Sequence, residues 1–127
     1  ALRAAVEANP RNAEAAKALA RILIARGDRD EALEVLEPLP SDFEAVGLAA
    51  RAWLAQSDDV DLDDAFEAWD AGDHATALEK LQEAFAETDD SEARDRIRQV
   101  MVAIFTELGA DDPLAREHRR RLATALY

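Results

Sequence analysis

The sequence predicts an all-α fold of antiparallel helix-turn-helix repeats, with about eight helices in its 127 residues. Two observations support this. The chain is rich in Ala, Leu, Glu and Arg, which are strong helix formers, and poor in Gly, Pro and β-branched residues. A Gly-Asp hinge also occurs twice, at Gly27 and Gly72, and an Ala-Leu-x-x-Leu stripe follows each copy. In each hinge the Gly can end one helix in the left-handed conformation and the Asp can cap the next.

Turn residues divide the first forty positions into three helices. Residues 1–9 form the tail of a helix that ends before Pro10. Asn12 can cap a second helix over about 13–26. A third helix follows the Gly27 hinge, and the prolines of the Pro-Leu-Pro segment shorten it.

The middle of the chain is less regular. Ser41 begins a capping-box pattern, which predicts a fourth helix with Phe43 and Gly47 on its apolar face. A fifth helix is expected over about 62–71, and we interpret it as the first helix of a repeat because Gly72 follows it. Since the two Gly-Asp hinges lie 45 residues apart, the middle repeat is predicted to be irregular and to lack one helix.

Three further helices complete the chain. We expect a sixth over about 74–87 and a seventh over about 91–108, which starts at an Asp89 capping box and stops at Gly109. Asp112 and the proline after it open the eighth. The stripe of the seventh helix predicted to enter the core is Ala93, Ile97, Val100, Met101, Ile104, Phe105 and Leu108.

The spacing in the first repeat is that of a tetratricopeptide repeat. Ala16-x-x-Leu19-Ala20-x-x-Leu23, followed by Ala32-x-x-x-Leu36, fits the pattern W-x2-L-G-x2-Y…A-x3-F, with smaller residues in the aromatic slots. We therefore expect residues 1–127 to form a single tetratricopeptide-like domain whose last helix acts as a cap.

Charge is distributed unevenly along the chain. The net charge is −13, and residues 57–95 hold 15 acidic and only two basic residues. A solvated face that aids solubility is the simplest interpretation. Because nucleic-acid binding requires clustered Lys and Arg, the balance disfavours nucleic acid as a partner. No apolar run is long enough to span a membrane, and the lack of cysteine is compatible with a cytoplasmic protein.

The sequence contains no arrangement typical of an active site or a metal centre. Residues 59–63 alternate Asp with apolar residues as a calcium loop does, but Asp64 stands where Gly is expected. An acidic helix start explains this run better. His74 and His118 have no partner at metal-ligand spacing, and no nucleophile motif or phosphate-binding loop occurs. We therefore expect no catalytic site, no metal and no cofactor in this chain.

Lys17 and Arg21 are candidates for a peptide-binding groove. They lie one helical turn apart on the second helix and would face the concave side of the repeats. The fifth helix offers Asp63, Phe66 and Asp70 instead of further cations, so a clamp for a C-terminal carboxylate is not predicted. Ordinary surface charge is the alternative interpretation of the two cations.

The last helix is both basic and apolar, and two interpretations follow. In one, it caps the fold and buries Leu122 and Leu126, with Leu114 on the same face, while its arginines pair with acids on the sixth and seventh helices. In the other, part of the helix is offered to a partner helix or groove.

The C-terminal segment, from Gly72 to Tyr127, carries a further set of motifs. These are Gly72-Asp73…Ala77-Leu78-x-x-Leu81, Ala93-Arg94, Phe105-x-x-Leu108-Gly109, Asp112-Pro113-Leu114-Ala115 and Arg119-Arg120-x-Leu122-Ala123-x-x-Leu126-Tyr127. The segment resembles the end of the thioredoxin–tetratricopeptide fusion co-chaperones, the chaperedoxin or YbbN-like family. Two features depart from that family: His118 stands where Tyr is usual, and the middle repeat is short of a helix.

The resemblance implies a protein-interaction module that holds unfolded clients and contacts the chaperonin in the bacterial cytoplasm. It also implies a thioredoxin-like domain before Ala1, where any redox activity would lie; the missing initiator Met agrees with an upstream extension. The partner-binding residues that it implies are Leu114, Arg119, Arg120, Leu122, Leu126 and Tyr127. The alternative function is a structural scaffold that only positions or dimerises an upstream domain. It predicts self-association and no client binding.

Overall fold

A computed structural model of the chain describes residues 2–9, 12–39, 42–55 and 61–126. Within these ranges the chain forms eight α-helices and no β-strand, which confirms the predicted all-α class. The helices are α1 (Leu2–Ala8), α2 (Ala13–Arg26), α3 (Arg29–Leu36), α4 (Phe43–Ala55), α5 (Asp63–Asp70), α6 (His74–Glu87), α7 (Ser91–Leu108) and α8 (Pro113–Leu126).

The two Gly-Asp hinges share one backbone geometry. Gly27 and Gly72 have φ angles of 85° and 80°, the left-handed region that favours glycine. In both hinges the amide of the following Asp donates to the carbonyl five residues before it, at 2.8 Å. This bond satisfies a carbonyl at the end of the first helix and turns the chain into the second.

Side-chain caps start several helices. Asn12 accepts a hydrogen bond from the Ala15 amide at 3.3 Å, and Asp73 accepts one from the Thr76 amide at 3.1 Å. Asp28 makes no side-chain capping bond, so the prediction of a cap was wrong there. The first hinge therefore relies on its backbone bonds alone.

At the starts of α4 and α7 the cap lies one residue after the predicted position. α4 is capped by Asp42, whose Oδ1 accepts from the amide three residues later at 3.1 Å, and Ser41 lies outside the described residues. α7 is capped by Asp90 and not by Asp89; the Asp90 carboxylate accepts from the Glu92 amide at 3.0 Å. Because Asp is a strong N-cap residue, an adjacent Asp takes the cap position as readily as the predicted residue.

The helices pack mainly as hairpins, and the most extensive pairing joins two helices that lie far apart in the chain. α2 packs on α3, and α5 packs on α6, across the two hinges. α4 instead packs most extensively on α7, so the α5–α6 hairpin is inserted in the chain between two partner helices. The helix that the middle repeat was predicted to lack is thus supplied by α7, and α8 then packs on α6 and α7.

Helices α4 and α7 approach each other closely at Gly47. A Cβ atom placed on Gly47 would lie 2.2 Å from the Cβ of Ala103 and 3.1 Å from the carbonyl oxygen of Gln99. Trp53, further along α4, lies under the guanidinium of Arg96, which precedes Gln99 on α7. The two helices therefore run antiparallel, and Gly47 lets their backbones meet.

The predicted core stripe of α7 is buried, except that Leu108 at its end is half-buried. On α4, Leu48, Ala50 and Leu54 are also buried. Phe43 differs from the prediction, because its side chain is 63% exposed. It is the first residue of α4, and side chains tilt toward the helix N-terminus, so it projects beyond the part of the helix that its neighbours cover.

The Gly47→Ala variant tests the close approach. In an ordinary helix interior this change stabilises by about 1 kcal/mol through helix propensity. Here the added methyl group has no space, and we expect a net loss of about 1–3 kcal/mol in the free energy of unfolding. Urea denaturation measures it. The double variant Gly47→Ala with Ala103→Gly moves the methyl group across the interface and should recover part of the loss. A Gly47→Ala protein as stable as the parent would contradict the packing described.

Candidate functional site

The C-terminal helix α8 is anchored by a narrow buried face. Asp112 caps it, with Oδ1 accepting from the Leu114 amide at 2.9 Å, and its first residue is a proline. Ala115, His118 and Leu122, spaced three and four residues apart, are buried against the rest of the domain. Since Leu122 is only 6% exposed, its side chain attaches the helix and does not face solvent.

Polar contacts join α8 to α6 and α7. The Arg121 guanidinium donates to both carboxylate oxygens of Glu79, at 3.0 and 3.1 Å, and this bonding lowers the pKa of Glu79. Near the helix end, Arg94 Nη2 donates to the carbonyl of Ala125 at 3.5 Å. Because these side chains are partly exposed, the ion pair contributes modestly and serves mainly to orient α8.

The imidazole of His118 is the most enclosed ionisable group of α8. It is 1% exposed, its Nδ1 is buried with no hydrogen-bond partner in the described residues, and its Nε2 lies 3.8 Å from the Glu79 carboxylate. Burial, assisted by Arg121, lowers the pKa of His118, while Glu79 and Glu117 oppose the shift. The position where the resembling family usually carries Tyr therefore faces the core of this domain.

The opposite face of α8 is basic and open to solvent. Arg116, Arg119 and Arg120 are exposed, with Glu117 among them. The Arg119 guanidinium lies 5.2 Å from the centroid of the Phe105 ring on α7, a cation–π contact that holds it over the domain. The lining of a shallow groove between α6 and α8 consists of Gln82, Glu83, Ala86, Arg120, Arg121, Thr124 and Ala125.

The described part of the structure exposes only some of the predicted partner-binding residues. Leu114 is half-buried at the start of α8. The Leu126 side chain and all of Tyr127 lie outside the described part of the structure. The exposed predicted residues that the structure describes are therefore Arg119 and Arg120.

Lys17 is buried, and so it is neither an ordinary surface charge nor a free groove residue. It is 8% exposed, and its Nζ lies 3.4 Å from Glu14, 3.3 Å from Asp42 and 3.5 Å from Glu44. Burial alone would lower the pKa of Lys17, but the carboxylates outweigh it and the pKa is raised. Lys17 therefore joins α2 to the start of α4.

Arg21 belongs to a cluster of charged and aromatic side chains from five helices. Its Nη2 donates to Glu107 Oε1 on α7 at 2.7 Å, and its guanidinium lies 4.8 Å from the centroid of Trp69 on α5. The other oxygen of Glu107 accepts from the indole Nε1 of Trp69 at 3.0 Å and lies 3.1 Å from His74 Nε2 on α6. The Arg21 guanidinium is therefore paired with a carboxylate of its own domain.

The same cluster contains a residue that sequence reasoning missed. Arg51 on α4 is 7% exposed and donates to both oxygens of Asp70, at 2.7 and 2.6 Å. Its guanidinium also lies over the rings of Phe66 and Trp69. The hydrogen bonds from Arg51 lower the pKa of the Asp70 carboxyl group. The sequence did contain a signal for this pair. Arg51 is the single charged residue of the apolar segment 45–55, and a buried cation requires a carboxylate partner.

No metal-binding group appears among the described residues. Nowhere in the described ranges do three or more His, Cys, Asp or Glu side chains lie where they could hold a metal ion together. Asp59 and Val60 of the calcium-like run lie outside those residues. Asp61 Oδ1 accepts from the Asp63 amide at 3.1 Å, which is the local turn expected of an acidic helix start.

Two family models, both described as tetratricopeptide repeat, match the chain over residues 1–56 and 41–127. The chain belongs to the tetratricopeptide repeat family. Repeats of this family are generally non-catalytic modules that bind other proteins. Comparisons with curated proteins and with solved structures give no match. Among the described helices, none is long and apolar enough to cross a membrane.

Replacing Asp70 by Asn tests the Arg51 cluster. The substitution keeps the side-chain size but leaves the buried Arg51 guanidinium without a carboxylate. Since Asp70 is itself 45% exposed, we expect a loss of about 1–3 kcal/mol, less than for a fully buried pair. Urea denaturation measures it. Glu67→Gln, an equivalent change at an exposed position of α5, should alter stability by less than about 0.5 kcal/mol. Equal effects of the two changes would argue against the cluster.

His118 predicts a pH dependence of stability. Its pKa is lowered in the folded protein from an unfolded value of about 6.5, so the unfolded chain binds a proton more readily. The free energy of unfolding should therefore be highest above about pH 6.5 and should fall as the pH drops below it. Urea midpoints on either side of this value measure the effect. His118→Gln should remove most of the dependence, and His74→Gln should retain it. The reverse pattern would refute the assignment.

Proposed function

We propose that this chain is the interaction module of a thioredoxin-like co-chaperone in the bacterial cytoplasm. In this role it holds unfolded clients and contacts the chaperonin through α8. The observation that carries the proposal is the orientation of α8. Its apolar residues Ala115 and Leu122 are buried, and Arg116, Arg119 and Arg120 face solvent.

The sequence resemblance supports the same surface. The motif Arg119-Arg120-x-Leu122-Ala123-x-x-Leu126-Tyr127 lies on this helix. In our proposal Leu122 fixes the orientation of α8, and Arg119 and Arg120 contact the partner. A basic face on a chain of net charge −13 favours an acidic surface on the partner, because opposite charges steer encounter and fix orientation.

Charge reversal on α8 tests the proposal more cleanly than removal of the helix, because removal would also take away buried core residues. The exposed Arg116 and Arg120 form no ion pair with described residues, so Arg116→Glu with Arg120→Glu should preserve the fold. We expect the unmodified chain to co-elute with purified chaperonin on a sizing column and this variant to lose co-elution. Arg26→Glu with Lys80→Glu makes the same change in net charge at exposed positions elsewhere and should still co-elute.

Other results of the same experiment would favour the scaffold function or refute the proposed role of α8. If none of the three proteins co-elutes while all remain helical by circular dichroism, the chaperonin contact proposed for α8 is refuted. Self-association that disappears on dilution would then assign the chain to positioning or dimerising an upstream domain. Co-elution of the α8 variant as strong as that of the control would refute the role of the basic face.

A further inference from the structure

A second surface, separate from α8, lies in a groove between α3, α4 and α7. The groove encloses about 440 Å³. Its apolar lining includes Leu33 and Leu39 from the α3 side and Val46 and Ala49 from α4. None of its lining residues belongs to α8. A cavity of this size is in the range of known ligand sites.

The apolar floor of the groove belongs to a helix that is apolar on nearly every side. α4 buries Leu48, Ala50 and Leu54 against its neighbours. Val46, Ala49 and Trp53, spaced three and four residues apart on another side, are only half-buried. A helix that is hydrophobic all round is normally buried all round. Within the described ranges, the side of α4 that carries Val46, Ala49 and Trp53 is therefore less covered than the side that carries Leu48 and Leu54.

The α3 wall of the groove is acidic. Glu34 and Glu37 line it, lie one helical turn apart and are exposed. Neither carboxylate forms an ion pair within the ranges that the structure describes, in contrast to the carboxylates that surround Lys17 and Arg21. Two free carboxylates at this spacing complement two cations one turn apart on a facing helix.

The α7 wall provides an unused acceptor. Gln99 lines the groove, and its Nε2 donates to Asp95 at 3.4 Å, while its Oε1 is buried with no partner in the described residues. Buried polar atoms are normally hydrogen-bonded, so a partner that brings a donor to this position would satisfy it. The neighbouring Arg96 is occupied by Glu92 at 3.7 Å and by the Trp53 ring.

We propose that this groove binds a basic amphipathic helix of a partner protein. Apolar residues of that helix lie on the Val46 and Ala49 floor, and Lys or Arg residues one turn apart pair with Glu34 and Glu37. Helical walls on both sides and an apolar floor between them suit a helix bound in a groove. The α8 helix of a second copy does not fit this description, because its apolar face is already buried against its own domain. The proposal is independent of any chaperonin contact.

Fluorescence anisotropy with two labelled synthetic helices tests this. Both carry leucines at i, i+3, i+4 and i+7; one has lysines on the flank of this stripe, and the other has glutamates there. We expect the lysine helix to bind the whole chain saturably and the glutamate helix to bind about tenfold more weakly. The Glu34→Lys, Glu37→Lys double variant should reverse this preference. Glu83→Lys with Glu87→Lys, an equal charge change on the exposed face of α6, should leave it unchanged.

A second variant tests the contribution of the apolar floor separately from that of the acidic wall. Ala49→Gln fills the groove without changing the net charge, and it should abolish binding of both helices while circular dichroism shows an unchanged fold. The proposal is overturned if the lysine helix shows no saturable binding, or if the Glu34→Lys, Glu37→Lys variant binds it as well as the parent does. Self-association of the parent that Ala49→Gln abolishes would also overturn it, because a second copy would then be the occupant.

Discussion

The close contact of α4 and α7 at Gly47 and Ala103 determines where the other helices lie. Backbone-to-backbone packing at this point requires that neither residue carry a larger side chain. Because α7 follows the α5–α6 hairpin in the chain, bringing it to α4 forces the hairpin to fold to one side. α6 then lies beside α7, and α8 follows on both. The irregular middle repeat is therefore a repeat whose second helix comes from further along the chain.

Ion pairs of three cations inside the domain stabilise this arrangement. Lys17 joins α2 to α4, Arg21 joins α2 to α7, and Arg51 joins α4 to α5. Each cation is partly or fully buried, so removing its carboxylate would leave an uncompensated charge. These cations serve the fold and are not free for a ligand. Arg116, Arg119 and Arg120, on the outer face of α8, are by contrast exposed and clustered.

The positions of the two proposed surfaces both depend on the packing of α7. One part of α7 packs on α4, and other parts support α6 and α8. α3 and α7 do not close over the outer side of α4, and the groove is what remains between them. Both surfaces consist of side chains on packed helices. Binding there would therefore require little rearrangement of the domain, which lowers the entropic cost of association.

The sequence by itself determined the eight helices and the points where most of them begin and end. Gly27, Gly72 and Asn12 act through bonds to backbone groups within about five residues, so local sequence contains the information. The predicted cap of α7 was wrong by one residue, because Asp89 and Asp90 are neighbours that could cap equally well. Only the tertiary structure decided which helix covers each apolar face. It paired Arg51 with a carboxylate 19 residues away and Arg21 with one 86 residues away, and it buried Lys17, His118 and Leu122. An apolar or charged pattern shows that a face needs a partner, but the partner is chosen by packing between segments distant in the chain.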